Sequence, residues 1–396
     1  MTYDTTRLAS WIAEHATATD DENALIEGLC RGLTEMGLPL WRVSISTPTI
    51  DPVHRGISLN WHAEQGGSRV LAPHGAEQEA VWLRSPIIAL LQSGEQFARW
   101  RLDKLGTGDD YPLLHELRMQ NGTDYVLFLI GFAPGTALRG VAFSMTTQRA
   151  SGFDQAEITA VGSLLPALGL AMAKLSLSHT LREVLATYLG PTTGGRVLNG
   201  QIRRGQGEKV PAAILLVDLR AFTKLSDCAD PADVVRWLDE HFDALGKPVA
   251  DHGGEILKFL GDGFLAAFPV PDASAQPCTG CGLALAAAAE ALRANEALNA
   301  LRRTTGLPAL EADLVLHYGE VIYGNVGTSR RLDFTLIGRA VNEASRIEAH
   351  CEILGHALLI SDSFAARCDQ SLEEVGSVTL RGVTSPQRVW TSPLNY

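Results

Sequence analysis

Apolar and polar positions along this chain change period several times, and each change predicts an element. From Glu22 to Met36, apolar side chains at Leu25, Ile26, Leu29, Leu33 and Met36 recur every three or four residues, which predicts an amphipathic helix. Trp41 to Ser46 alternates as Trp, Arg, Val, Ser, Ile, Ser, the period of a half-buried strand. Tyr125 to Ile130 is a short continuous apolar run, and Val141 to Met145 is a second strand candidate. From Asp154 the pattern turns helical and continues to about Leu189, with Pro166 as the expected kink. Asp154 followed three residues later by Glu157 has the form of a capping box.

Gly190 to Gly207 breaks this pattern with Gly190-Pro191, Gly194-Gly195, Gly200, Gly205 and Gly207, and reads as a linker. Its glycines are not followed by Gly-Lys-Ser/Thr, so they do not form a Walker A loop. Beyond it, Ala212 to Val217 is a run of small and branched apolar residues that predicts a buried strand ending at Asp218. Asp230-Pro231 is a helix start, and Val234, Val235, Leu238, Phe242 and Leu245 give that helix one apolar face. Glu255 to Leu260 and Gly263 to Phe268 are apolar strands around Gly261-Asp262-Gly263, a hairpin with a carboxylate at its tip.

The elements divide the chain into a mixed α/β segment over residues 1–153, a helix and Gly-rich connection over 154–207, and an α+β domain over 208–396. With 396 residues, 46% apolar and 20% charged, the composition is that of a globular protein able to bury more than one core. A net charge of −12 argues against general affinity for nucleic acid or an anionic membrane surface. The apolar stretch Ile158 to Leu177 is interrupted by Gly162, Ser163, Pro166, Gly169 and Lys174, which speaks against a membrane span, and no basic start precedes an apolar leader. The expected location is the cytoplasm. Six scattered cysteines do not form a disulfide framework. Cys278 and Cys281 form a lone C-x-x-C, which is either half of a zinc or redox site or two loop cysteines ahead of an Ala-rich helix. Trp61, His62, Trp82 and Trp100 are candidates for lining a ligand pocket in the first segment, or for filling its core.

The chemistry concentrates in the last half. Asp218 at a strand end and Asp262 at a hairpin tip meet if their strands pair, and adjacent carboxylates repel unless a cation lies between them. Hard oxygen ligands point to magnesium or manganese; the alternative is two ordinary turn residues. Asn342 and Arg346 are four apart and share one face of a helix, and arginine's planar fork suits phosphate oxygens.

These motifs, in this order over roughly residues 210 to 390, resemble the class III adenylate and guanylate cyclases. Asp218-Leu219-Arg220-Ala221-Phe222-Thr223 is similar to the family's first metal-binding segment, and Lys258-Phe259-Leu260-Gly261-Asp262 to the second. Gly338 to Arg346 is similar to the segment carrying the transition-state pair. The resemblance implies two Mg2+ or Mn2+ ions held by Asp218 and Asp262, with Leu219 a further metal-binding position. It implies ATP as substrate, with Phe222 and Thr223 at the phosphates and Asn342 and Arg346 as catalytic residues. Lys258 and Thr335 fall where the family selects its purine. Arg381 stands in for a triphosphate-binding lysine. The family works as a dimer with shared sites, so a homodimer is implied. Guanylate cyclase and a catalytically inactive nucleotide sensor are the alternatives. The first segment resembles a GAF-type sensor domain, implying regulation by an unidentified small-molecule or protein signal. One departure is Ala221, where glycine is commoner.

Overall fold

The computed structural model describes residues 3–393 apart from Thr107, Asp109, Thr136, Cys228 and Thr384. Cys228 of the six cysteines thus lies outside the described residues. The chain divides into two compact units, Met1–Val184 and Leu185–Tyr396.

The first unit is an antiparallel sheet of six strands: β1 (Arg42–Pro48), β2 (His54–His62), β3 (Gly66–Pro73), β4 (Phe97–Arg101), β5 (Asp124–Gly131) and β6 (Gly140–Thr147), in the order β3-β2-β1-β6-β5-β4. Helices α1 (Thr6–Ala18), α2 (Glu22–Glu35), α3 (Ala76–Leu83), α4 (Pro86–Ser93), α5 (Pro112–Met119) and α6 (Gln155–Leu189) complete it. Strand alternation feeds two cores. Val43, Ile45, Val126 and Phe143 face α1, α2 and α6, while Tyr125, Leu127 and Ala142 meet Leu90 of α4 and Leu114 and Leu117 of α5.

The capping box at α6 is formed. The Glu157 N–H donates to Asp154 at 2.8 Å and the Asp154 N–H donates to Glu157 at 2.7 Å. The helix continues through Pro166 as a single element. It is long and apolar enough to cross a membrane by composition alone, yet half of its most apolar window is buried within the fold. Ile158, Val161, Leu164, Leu168, Met172 and Leu175 belong to the core.

The stretch read as a linker contains a helix, α7 (Pro191–Leu198). Pro191 supplies a pre-set first turn, fully buried Thr193 bonds the Tyr323 hydroxyl, and Arg196 stacks on the Tyr323 ring. These tertiary contacts hold a Gly-rich segment that local propensity alone would leave open.

The second unit continues with β7 (Gly207–Leu219), α8 (Phe222–Ser226), α9 (Pro231–Asp251), β8 (Glu255–Leu260), β9 (Gly263–Pro269), α10 (Thr279–Thr304), β10 (Ala312–Gly327) and β11 (Leu332–Ile337). It ends with α11 (Arg339–Glu348), α12 (Cys351–Leu354), β12 (Leu358–Ser361), α13 (Asp362–Ala365), β13 (Glu373–Val378) and β14 (Gln387–Thr391). The sheet order is β13-β14-β12-β10-β7-β9-β8, with β11 hydrogen-bonded to β10. Among the described residues, only the β10–β12 pairing is parallel. The fold is therefore α/β of the α+β kind: a mixed, mainly antiparallel sheet flanked by helices.

Central strand β7 is buried on both faces. Ala213, Leu215 and Val217 pack with Leu245 of α9 and Ala284, Ala288 and Leu292 of α10. Ala212, Ile214 and Leu216 pack with Phe334 and Leu336 of β11 and Ala340 and Ala344 of α11. Each fully buried Leu, Ile or Phe contributes roughly 1.5–3 kcal/mol, so these two layers fix where β7 ends. Cys278 and Cys281 are buried in the α10 core, and burial pushes the Cys281 thiol up.

Candidate active site

The strand order places the two aspartates predicted to meet. β7 pairs antiparallel with β9, Val217 lying opposite Phe264, so the next step of the ladder puts Asp218 beside Gly263. The β8–β9 connection is a two-residue turn, with Leu260 paired to Gly263 and Asp262 in its second position. Gly261 has φ +75°, which glycine adopts without strain in the first position of such a turn. A Cβ on Gly263 would lie 2.1 Å from the Val217 carbonyl oxygen and 2.9 Å from Asp218 Oδ1. Only glycine lets the hairpin tip approach the Asp218 carboxylate this closely.

Charge accumulates at this point. Burial first, then the charges of Asp262 and Asp313, push the Asp218 carboxyl up to about 6. Asp313 stands opposite Asp218 on β10. Glu348, the last residue of α11, is pushed up to about 7 by burial and then by Asp218, Asp313 and Asp262. One of the four acids is answered: Arg220 forms a two-pronged pair with Asp313, Nε to Oδ2 at 3.1 Å, and also reaches Glu311. Among the described residues no ion pair involves Asp218, Asp262 or Glu348. Asp313, Arg220 and Glu348 were not found by reading the sequence; their relevance follows from strand register and from the seating of α11, which leave no local signal.

This donor set suits hard divalent cations. Partly buried Asp218 and Asp262 converge with no ion pair to either among the described residues, and their mutual repulsion falls when a positive ion lies between them. Among the described residues no three His, Cys, Asp or Glu side chains form a complete metal-binding group. Side chains thus offer a two-carboxylate seat, leaving further positions to main-chain oxygen, water and substrate phosphate. Leu219 is buried beside it in the β7–β10 ladder, and its N–H bonds the Asp218 carboxylate.

The turn after Asp218 holds the predicted departure. Ala221 has φ 57° and ψ 25°, the left-handed region that disfavours a side chain. Phe222 and Thr223 follow as the first residues of α8, where main-chain N–H groups have no partner inside the helix.

Lys258 and Thr335, 77 positions apart in the chain, come to one side of the sheet. The β8–β9 ladder shifts register between Ile256 and Lys258, making Leu257 the extra residue of a bulge. Ile256 packs with the α9–α10 core and Phe259 against Phe242 of α9, whereas Leu257 packs with the core that includes β11. Without the bulge Lys258 would point with Ile256. With it, the Lys258 ammonium reaches β11 and pairs with the Asp333 carboxylate, two residues before Thr335.

Asn342 and Arg346 lie on α11, Asn342 exposed and Arg346 half-buried. Successive helical residues turn by about 100°, so these two share a face while Glu348 lies nearly opposite Arg346. The helix thus turns Glu348 toward its own chain's acids and presents Asn342 and Arg346 elsewhere. Arg346 makes no ion pair among the described residues, and a Cβ on Gly382 would lie 3.9 Å from its Nη1. Its guanidinium therefore borders the loop carrying exposed Arg381.

In the first unit, Trp61 and His62 line a cavity of about 600 Å3 with Trp41, Arg42, Glu116 and Gln148. Trp82 and Trp100 do not line it. Arg55 stacks on Trp82, and Trp100 packs against Tyr111 and Tyr125.

The second unit is thus a sheet domain with paired acids at a hairpin tip and an Asn/Arg helix, and residues 206–391 match the family described as adenylate and guanylate cyclase catalytic domain. That part of the chain is a class III cyclase catalytic domain. It is 35% identical over 157 residues to adenylate cyclase 1 of Rhizobium meliloti (strain 1021), covering 39% of this chain and 23% of that protein. It is 35% identical over 152 residues to adenylate cyclase of Anabaena cylindrica, covering 38% of this chain and 29% of that protein. The chain therefore spans well under half the length of these relatives. A solved bacterial light-regulated adenylyl cyclase is similar in fold, with a TM-score of 0.50 and 16% identity over 89% of this chain and 93% of that one.

Proposed function

We propose that this protein is an adenylate cyclase that converts ATP to 3′,5′-cyclic AMP and pyrophosphate as a homodimer with shared sites. The observation that carries the reading is the convergence of Asp218 and Asp262 at the β8–β9 hairpin, with no ion pair to either among the described residues. These carboxylates would hold two Mg2+ or Mn2+ ions, which supply an activated ribose 3′-oxygen and neutralise triphosphate charge. The 3′-oxygen attacks the α-phosphorus in line, the bond to the β-phosphate bridging oxygen breaks, and pyrophosphate leaves. The N–H groups of Phe222 and Thr223 orient phosphate oxygens, Asn342 holds the ribose, and Arg346 offsets charge developing at the α-phosphate. Arg381, beside Arg346, extends that cationic surface along the triphosphate.

The purine preference rests on donor and acceptor matching. Adenine presents an acceptor at N1 and a donor at its exocyclic amine. Lys258 has only donors and meets N1; the Thr335 hydroxyl accepts from the amine. Guanine carries a hydrogen on N1, which faces lysine donor to donor and costs about 1–3 kcal/mol when unpaired.

Two features support sharing between subunits. Asn342 and Arg346 lie on the α11 face turned from their own chain's acids. Around the same tip and the β10–β11 hairpin, Phe259, Leu260, Ile322, Val326, Leu332 and Ile337 are exposed apolar residues that a second copy would cover. The first unit is read as a cytoplasmic GAF-like regulatory domain whose cavity takes the signal and whose exit helix α6 passes it on. A truncated chain starting near Val210 with unchanged activity and regulation would defeat that part.

The deciding assay follows cyclic products from ATP and GTP with each metal. Asp262→Ala and Arg346→Ala should each abolish cyclic AMP formation, and mixing the two should restore part of it, because one of the two sites in the mixed dimer is intact. No restoration on mixing refutes the shared site, and a preference for GTP refutes the purine assignment.

A further inference from the structure

We propose that the cavity of the first unit binds a free α-amino acid with an apolar side chain, gripping its carboxylate with Arg42 and His62 and its ammonium with Glu116. The inference rests on the reading of this cavity as the place that takes the signal, and it names the chemical class of that signal. Arg42, Thr146 and Tyr125 form one cross-strand row over β1, β6 and β5, so Arg42 leaves the sheet on the face where Tyr125 packs with α5. His62 stands opposite Arg42 on β2. The Glu64 N–H donates to His62 Nδ1 at 3.3 Å, which leaves the hydrogen of the neutral ring on Nε2. This wall of the cavity therefore offers donors, a guanidinium fork and an imidazole N–H. The other wall is the end of α5, where the Gln120 amide donates to the Glu116 carboxylate at 3.3 Å. Gln148 donates to the Gln120 carbonyl oxygen at 3.0 Å and ties the exit of β6 to that wall.

The charges on the two walls do not neutralise each other. Among the described residues neither Arg42 nor Glu116 forms an ion pair, although both line the same cavity of about 600 Å3. An unpaired guanidinium and an unpaired carboxylate in one cavity match a ligand that carries both signs of charge. A singly charged ligand satisfies one of them and leaves the other unanswered. A phosphate ester fits worse still, because Glu64 and Glu116 give the lining more carboxylates than guanidinium groups. Arginine's planar fork matches the two oxygens of a carboxylate, which places that end of the ligand at Arg42. Trp41 and Trp61 add indole surface beside these groups, and His62 meets Trp41 edge-on with ring centroids 5.2 Å apart. Indole surface favours an apolar or aromatic side chain. The volume is that of a site enclosing a whole small molecule, with room for a side chain beyond the charged head.

The test measures equilibrium binding by calorimetry on the full chain with L-leucine, L-phenylalanine and L-tryptophan. Each is compared with its two singly charged relatives, the acid without the ammonium and the amine without the carboxylate; for phenylalanine these are hydrocinnamate and phenethylamine. At least one of the three amino acids should bind, and removing either charge should weaken its binding about tenfold to a hundredfold. Arg42→Gln should no longer distinguish that amino acid from its amine, and Glu116→Gln should no longer distinguish it from its acid. Unchanged thermal midpoints without ligand would show both variants folded. No binding of any of the three at about 10 mM, equal binding of a singly charged relative, or folded variants that keep the wild-type discrimination would overturn the proposal. Should Arg42→Gln not fold, Arg42→Lys, which keeps the charge and loses the fork, takes its place, and the comparison on the wild-type chain decides by itself. Binding is read without turnover, so its failure leaves the cyclase reading of the second unit standing, and a chain that forms no cyclic product defeats that reading alone.

Discussion

Neutralising the hairpin tip by Asp262→Asn should lessen a pH penalty, whose larger cause is burial, and remove most of a metal response. The Asp218 carboxyl rises from 3.8 to about 6, a shift of about two units. At about 1.4 kcal/mol per unit that is about 3 kcal/mol, reduced to about 1.5 kcal/mol because the group is only partly buried and water screens it. A carboxyl whose folded value is raised binds its proton more tightly when folded than when unfolded. Stability from this group is therefore greatest below about pH 4 and falls as pH climbs to about 6, beyond which it stays low. Glu348, raised from 4.5 to about 7, acts in the same direction over a slightly higher window. In chelator, the catalytic domain should thus melt about 3–6 °C lower at about pH 8 than the value these two groups would allow at about pH 5. Saturating Mg2+ or Mn2+ should return that loss at about pH 8 and have a smaller effect at about pH 5, where the Asp218 carboxyl holds its proton. Asp262→Asn removes a repulsive charge and half of the seat. Its metal-free midpoint at about pH 8 should exceed that of the wild type, and its metal-induced gain should nearly vanish. Calorimetry across pH with and without metal checks both. A metal gain as large at about pH 5 as at about pH 8, or one undiminished in Asp262→Asn, would refute the argument.

Two further substitutions probe the same turn region. Ala221→Gly relieves a left-handed side chain that costs about 1–2 kcal/mol and gives back about 0.5–1 kcal/mol in unfolded-chain entropy, so a net gain of about 0.5–1 kcal/mol should appear in denaturant midpoints. Gly263→Ala drives a methyl into the Val217 carbonyl and the Asp218 carboxylate. It should cost about 1–3 kcal/mol of stability and, by shifting the hairpin tip, about a hundredfold in cyclase turnover measured at saturating metal.

Much of this protein was legible because its signals are local. The β7 run ending at Asp218, the Gly-Asp-Gly tip, the Asp154–Glu157 capping box and the i, i+4 spacing of Asn342 and Arg346 are each written within a few residues. Periodicity and turn chemistry read at that range. The linker reading of 190–207 failed because the buried Thr193–Tyr323 contact joins positions 130 apart, beyond any local rule. Which charges accompany Asp218 was likewise hidden. Asp313 is its neighbour only through the β7–β10 register, Arg220 answers that neighbour, and Glu348 arrives on a helix packed against the sheet. Outside 190–207 the sequence by itself indicated the element types read from it, and put the two carboxylates at a strand end and a hairpin tip and Asn342 and Arg346 on one helix face, since a side chain's place in a turn or helix is a short-range property. The tertiary structure alone decided where those groups point. A single extra residue at Leu257 reverses the face of Lys258: with the bulge, β8 packs Ile256 and Phe259 on one side and sends Lys258 to the other, a choice set by pairing with β9 and not by local periodicity.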